Sequence, residues 1–123
     1  GANTPRSINN NINMLNELAY LTGMHGMFYV TLEKCYGGKF GNAILSKHSF
    51  DETRRIMLPC AAGTEQRNAA IADIKLPDGT EFSIVDTHID MSKLDNGMSQ
   101  IKAVGETLYC SRGHESSGRN CRD

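Results

Sequence analysis

Apolar residues in the first part of the chain recur at intervals of three and four, which is the period of an amphipathic helix. This spacing predicts a helix over residues 8–22, with Ser7 as its N-cap and Gly23 as its C-terminal stop. Asparagine, a poor helix former, occupies much of the opposite face, so we expect tertiary contacts along the apolar stripe to hold this helix. The stripe consists of Ile8, Ile12, Leu15, Leu18 and Ala19.

The middle of the chain alternates between apolar and polar residues, a pattern typical of β-strands. Gly37-Gly38 and Pro77-Asp78-Gly79 are turn sequences that each separate two of these segments. Since the connections are short, most neighbouring strands are expected to be antiparallel. The predicted strands span residues 27–32, 40–46, 52–58, 67–76 and 80–87.

A second helix is predicted over residues 97–109, with Asp95 or Asn96 as its cap. Residues 111–123 contain no aliphatic or aromatic side chain, so we expect them to form a disordered polar tail. Together the elements predict an α+β fold, with about five mostly antiparallel strands in one sheet packed by two helices, in a single domain over residues 1–110. The stripe of the second helix is Met98, Ile101, Val104 and Leu108.

The charge balance and the cysteine content of the chain bear on which kinds of protein it can be. The chain of 123 residues has 13 Lys and Arg against 14 Asp and Glu, a net charge of −1. This balance argues against a protein that binds nucleic acid or anionic membranes through a broad positive surface. Its apolar runs are far shorter than the ~20 residues that a membrane span needs. The irregularly spaced cysteines are expected to be mostly free thiols, which leaves the compartment open. They are Cys35, Cys60, Cys110 and Cys121.

The end of the fifth predicted strand is the first candidate for chemistry. If the strand continued, Asp86, His88 and Asp90 would share one otherwise apolar face. An imidazole can donate a proton and carboxylates bind hard cations, so this group suits the mouth of a phosphate-facing site. The alternative is that the two aspartates only end the strand and solvate a turn.

Arg67 is the second candidate. It begins the fourth predicted strand and lies about as far from the hairpin turn as residues 87–90, so the two should meet across the ladder. A guanidinium beside an imidazole would bind a phosphate oxyanion well. The alternative is a structural salt bridge from Arg67 to Glu65 or Asp90.

Several stretches, in this order and spacing, resemble the endonuclease/exonuclease/phosphatase family, the metal-dependent phosphoesterases related to deoxyribonuclease I. ELAYLTGMHGMFY resembles the family's helix and following strand, and FGNAILSK (residues 40–47) resembles its Leu-Ser strand. Glu65-Gln66-Arg67 followed by AAIADIKLPDGTEFSIVDTHID resembles its paired strands that end in Thr-His-Leu-Asp, and Gln100 matches a glutamine frequent in the next helix. The resemblance spans about residues 6–108.

The resemblance implies a phosphoester hydrolase that uses Mg²⁺ or Mn²⁺. His88 would be catalytic, contacting the scissile phosphate and stabilising the charge that develops on it. Arg67 would support the hydrogen-bond network of that site, and Asn42 would lie near the same cleft. Asp90 matches the acidic residue after the histidine. We therefore expect Asn42, Arg67 and Asp90 to contribute to substrate binding.

The departures from the family pattern limit this function. The sequence contains no L-Q-E, the motif whose Glu holds the metal, no G-D-x-N and no final D-H, and Asp86 stands where many members have Asn. Metal-assisted hydrolysis needs the ion, an oriented water and a base. We therefore expect a member truncated at both ends, resembling half of the family's four-layer sandwich, that is inactive alone and provides no metal ligands. The alternatives are a phosphoesterase completed by another chain, and an interaction module whose open sheet face binds a protein partner or a second copy.

Overall fold

Seven elements follow one another along the chain. The structure, a computed structural model, describes residues 13–33 and 38–111. A short helix is followed by five strands and then by a long helix. The elements are α1 (Met14–Thr22), β1 (His25–Glu33), β2 (Lys39–Ser46), β3 (Glu52–Met57), β4 (Asn68–Lys75), β5 (Glu81–Thr87) and α2 (Leu94–Ser111).

The chain divides into two compact units, and each is described by itself. Within the described residues, the first unit contains everything up to Met57 together with Asn68–His88, and therefore α1 and all five strands. The second unit contains the loop Leu58–Arg67 and residues 89–111, which include α2.

The predicted α+β class, with five antiparallel strands and two helices, is confirmed. The strands form two sheets rather than the single predicted one: β1 pairs with β2, and β4 lies between β3 and β5. The two sheets meet in a core formed by Met27 and Ile44 from one sheet and by Ala70 and Ala72 from the other. Periodicity predicts each strand but not its neighbours, and dividing the strands lets two apolar faces cover each other.

The two arginines of β3 connect it to two different strands, one in its own sheet and one in the other. Arg54 forms an ion pair with Asp73 of β4. Arg55, on the face that looks toward β1, donates to the carbonyl of Val30 at 2.6 Å, and its guanidinium lies 6.0 Å from the ring centre of Tyr29. A long cationic side chain that packs its stem on an aromatic ring while its head binds a carbonyl connects β3 with β1.

The helix ends differ from the predictions in part. The side chain of Asn13 caps α1, accepting a hydrogen bond from the backbone N–H of Asn16 at 3.1 Å. The predicted first turn over residues 8–12 and the Ser7 cap lie outside the described residues. The capping prediction for α2 was wrong, because this helix begins at Leu94 and so includes Asp95 and Asn96 in its first turn.

Three further expectations concern the rest of the chain. The predicted disordered tail lies, from residue 112 onward, outside the described residues. Most of the four cysteines were expected to be free thiols. Cys60 is a free, exposed thiol, as expected, whereas Cys110 is disulfide-bonded. Among the described residues, no helix is long and apolar enough to cross a membrane.

Candidate functional site

In the first unit, Asn42 connects the two strands that carry the family-like motifs. This buried side chain on β2 donates from Nδ2 to the backbone carbonyl of Asp86 on β5, at 3.0 Å. Asp86 stands opposite Ala70 in the β4–β5 ladder and therefore faces the interior between the sheets. Two segments 44 residues apart in sequence are thus held together at the end of the sandwich by one amide.

The Asp86 carboxyl is affected by this interior position. Burial raises its pKa above the ordinary value of 3.8, while a hydrogen bond from the Ala43 backbone and the charge of His88 act in the opposite direction. The Asp86 carboxyl is therefore easier to protonate than the carboxyl of an exposed aspartate.

His88 is exposed and follows directly after the last residue of β5. The predicted shared face of Asp86, His88 and Asp90 was wrong, because the ladder ends at the Ala69–Thr87 pair. The chain leaves the sheet there, and the N–H of Asp90 donates to the side chain of a helix residue rather than to a strand. Only Asp86 of the three lies on the strand.

A buried asparagine was missed by the sequence analysis. Asn68, at the start of β4, is 1 % exposed, and its Nδ2 lies 3.3 Å from the carbonyl oxygen of Val30 and 3.5 Å from that of Tyr29. Its Oδ1 has no hydrogen-bond partner among the described residues. The sequence offered one indication of this role, a single amide next to the apolar segment Ala69–Ala72. A polar side chain that is buried with such a segment usually forms hydrogen bonds.

In the second unit, Arg67 and Asp90 come together around Glu65. Arg67 donates from Nη2 to the carboxylate of Glu65 at 3.1 Å, which is the structural salt bridge weighed as an alternative. Asp90 accepts the backbone N–H of Glu65 at 3.2 Å and that of Ser92 at 2.9 Å. The hydrogen bonds from Ser92 lead the causes that lower the pKa of Asp90, and the Glu65 N–H and the Arg67 charge add to them. The ionised form of Asp90 is therefore favoured, and its carboxylate holds the backbone at Glu65 and at Ser92 by hydrogen bonds.

Two buried amides of α2 complete this polar cluster. Gln100, fully buried, accepts the N–H of Asp90 on Oε1 and donates from Nε2 to the carbonyl of Pro59, both at 2.9 Å. Asn96 accepts the N–H of Ala61 at 2.9 Å, and its Nδ2 has no partner among the described residues. Sequence reasoning noted Gln100 only through the resemblance and missed the role of Asn96.

The predicted site residues are therefore distributed over both units. Asn42 and His88 belong to the first unit, and Arg67 and Asp90 to the second. The prediction that Arg67 joins the ladder opposite residues 87–90 was wrong, because β4 begins one residue later and Arg67 belongs to the preceding loop. The substrate-binding and catalytic roles of these residues stay predictions.

The described residues contain no preformed cluster of ligands for a magnesium or manganese ion. Within residues 13–33 and 38–111, no three His, Cys, Asp or Glu side chains are grouped as ligands for a metal ion. Such ions take several oxygen ligands, of which carboxylates are the usual charged ones. No chemical step is therefore assigned to a metal.

Replacing Asp86 by asparagine is expected to stabilise the protein at pH 7 and to flatten its pH dependence. A carboxyl whose folded pKa lies above its unfolded pKa stabilises most below the unfolded value, and this contribution is lost as the pH rises through the folded value. The half-exposed position keeps the gain small, about 0.5–1 kcal/mol at pH 7 and near zero below about pH 4. Urea unfolding midpoints at both pH values measure it.

Asp73→Asn is the matched control with the opposite sign. Burial raises the pKa of Asp73, but hydrogen bonds from Ser83 and Arg54 and the Arg54 charge outweigh it, so the net pKa is lowered. This variant should lose stability at pH 7, and the loss should shrink as the pH falls. An Asp86→Asn protein less stable than the parent at pH 7 would refute the assignment of a burial cost to Asp86.

Comparisons with known proteins place this chain in no family. No protein-family model, curated protein or solved structure matches it. The functional interpretation therefore rests on the sequence motifs and on the geometry of the two units.

Proposed function

We propose that this chain is a phosphate-binding domain of the endonuclease/exonuclease/phosphatase type that does not hydrolyse phosphoesters by itself. The observation that carries the proposal is the hydrogen bond from Asn42 to the Asp86 carbonyl. It joins the FGNAILSK strand to the strand that leads into Thr87-His88, the two segments on which the resemblance depends most. The two strands belong to different sheets, so a direct hydrogen bond between them supports their belonging to one site.

His88 is the phosphate-contacting residue in this proposal. Its imidazole is exposed to solvent and can donate an N–H hydrogen bond to a phosphate oxygen. Asn42 fixes the strand end from which His88 projects and therefore acts as a positioning residue. The ligand class is a phosphate ester or free phosphate.

Arg67 orders the loop of the second unit that contains Glu65. Its guanidinium is committed to Glu65, and its charge favours the ionised form of Asp90. Arg67→Gln is therefore expected to loosen this loop, because it removes the ion pair with Glu65.

The absence of turnover follows from the groups that hydrolysis requires. An in-line attack needs an oriented nucleophilic water, a base and stabilisation of the leaving oxygen. The sequence lacks the motifs that supply these groups in the family, and His88 alone cannot fill three roles. The chain is expected to bind without cleaving.

A turnover assay tests this function. The 123-residue chain is incubated with a p-nitrophenyl phosphomonoester and the corresponding diester, with Mg²⁺, with Mn²⁺ and with neither. The proposal predicts no rate above the metal-only control. Metal-dependent turnover that disappears in His88→Ala, but not in the exposed His48→Ala control, would contradict it and would favour an active enzyme.

Two alternative functions were considered, a phosphoesterase completed by another chain and an interaction module. Completion by another chain remains an alternative proposal. An interaction module is favoured by one observation, because several large apolar side chains of the second unit are exposed. Three of them lie on α2 and Met91 lies just before it, so none is on the sheet face where a partner was expected.

A further inference from the structure

One side of α2 exposes three large apolar residues in a row. Leu94, Met98 and Ile101 are 65 %, 56 % and 49 % exposed, and their spacing of four and then three places them on one stripe. An amphipathic helix usually buries its apolar side. Here the buried side carries the amides of Asn96 and Gln100 instead. The amides are needed inward to satisfy loop backbone groups, which leaves the apolar stripe without a partner in the described chain.

We propose that this stripe is a dimer interface in which α2 pairs with α2 of a second copy, running antiparallel. The intervals between Leu94, Met98, Ile101 and Gly105 are those of a two-helix seam. A surface that binds itself must be complementary to itself about a two-fold axis. An antiparallel seam meets this condition by placing Met98 against Ile101 of the second copy, and Leu94 against Gly105.

Charge complementarity identifies the second copy as the occupant. Asp95 and Lys102 lie one heptad apart along the same edge of the stripe, and both are exposed. In the antiparallel register, Asp95 faces Lys102 of the second copy, and symmetry repeats the pair. In a parallel pair Lys102 would instead face Gly97, which has no charge to offer. Within the described residues, Lys102 forms an ion pair with Glu106 that is long, at 3.9 Å, and exposed.

Gly105 provides a second argument. A glycine inside a helix costs about 1 kcal/mol relative to alanine. A Cβ at Gly105 would meet no atom within 4 Å, so contacts within the chain do not require a glycine there. Opposite Leu94 of the second copy, the missing side chain provides the space that a large residue needs.

Sedimentation equilibrium of the full chain tests the proposal, from about 1 to 500 µM. All proteins carry Cys60→Ser, so that the exposed thiol cannot link two copies. We expect a concentration-dependent dimer that Met98→Glu weakens by at least about 30-fold. Met57→Glu, the same change at an exposed methionine of the first unit, should leave dimerisation unchanged.

Charge exchange tests the direction of pairing. Asp95→Lys and Lys102→Asp should each weaken the dimer about 5–10-fold, and the double variant should restore it to within about 3-fold. A chain that stays monomeric throughout, or a dimer unaffected by Met98→Glu, would overturn the interface. Failure of the double exchange to restore dimerisation would overturn the antiparallel register. Each variant's circular dichroism must match the parent's. Ile101→Glu serves as the second stripe variant, so that one misfolded protein does not decide the result.

Discussion

Replacing Gln100 by leucine is expected to destabilise the protein by about 2–5 kcal/mol, the largest single effect in this structure. Leucine keeps much of the volume and removes both hydrogen bonds of a fully buried side chain. The N–H of Asp90 and the carbonyl of Pro59 each lose their partner at 2.9 Å. Leaving buried polar groups unpaired costs about 1–3 kcal/mol for each group.

Hydrogen exchange together with urea unfolding measures this effect. The amide of Asp90 should exchange much faster in Gln100→Leu, because its acceptor is gone. Gln100→Glu keeps the acceptor but loses the donor to Pro59, so it should be intermediate and should recover in acid, where a protonated carboxyl donates. Ser99→Ala, on the exposed side of the same helix, serves as the control. Unfolding of Gln100→Leu at the parent's urea midpoint would contradict the account of the polar cluster.

Replacing Gly41 by alanine is expected to cost about 2–4 kcal/mol and to lower the melting temperature by roughly 10–20 °C. A Cβ at this position would overlap the carbonyl oxygen of Tyr29 and come within 3.0 Å of the Cα of Val30. Both are backbone atoms of the paired strand, so no side chain can move aside. The overlap is removed only if β1 and β2 move apart next to the register shift between Val30 and Leu32.

Gly26→Ala is the matched control, since it lies in the same strand pair. Its Cβ would approach only the side chains of Leu15, at 3.2 Å, and Leu45, at 3.5 Å, which can adjust. We expect a change below about 1 kcal/mol. Thermal unfolding of both variants compares them directly, and equal losses would show that the close approach at Gly41 is not the cause.

Local chemistry explains what the sequence predicts well. The β4–β5 hairpin follows from Pro77-Asp78-Gly79, where the backbone N–H of Thr80 donates to the Asp78 side chain at 2.8 Å. All five strands were predicted because alternation is a local property. Their division into two sheets was not, since the choice between neighbours depends on faces that meet only after folding.

The site was harder to predict, because its determinants are long-range and polar. His88 could be singled out from its motif, but the strand ends one residue before it, since Gln100 and Glu65 draw the chain at Asp90 into other bonds. For α2, periodicity identifies an apolar stripe that includes Met98 and Ile101, and it gives no role to the amide of Gln100. In the structure the buried side chains are Asn96 and Gln100, because they form hydrogen bonds with the backbone of Ala61, Asp90 and Pro59. Leaving those backbone groups unpaired would cost more free energy than exposing Met98 does.

The most direct test of the central claim is a ¹H–¹⁵N NMR titration of the chain with inorganic phosphate at fixed pH, with chloride at matched ionic strength as the control. The account predicts saturable shifts at His88 and Asn42, with a dissociation constant of about 1–10 mM and at least a several-fold loss in His88→Ala. Signals of the remote hairpin residue Gly79 should not move. The absence of specific shifts at phosphate concentrations of about 50 mM, or shifts that persist unchanged in His88→Ala, would contradict a phosphate site at this strand end.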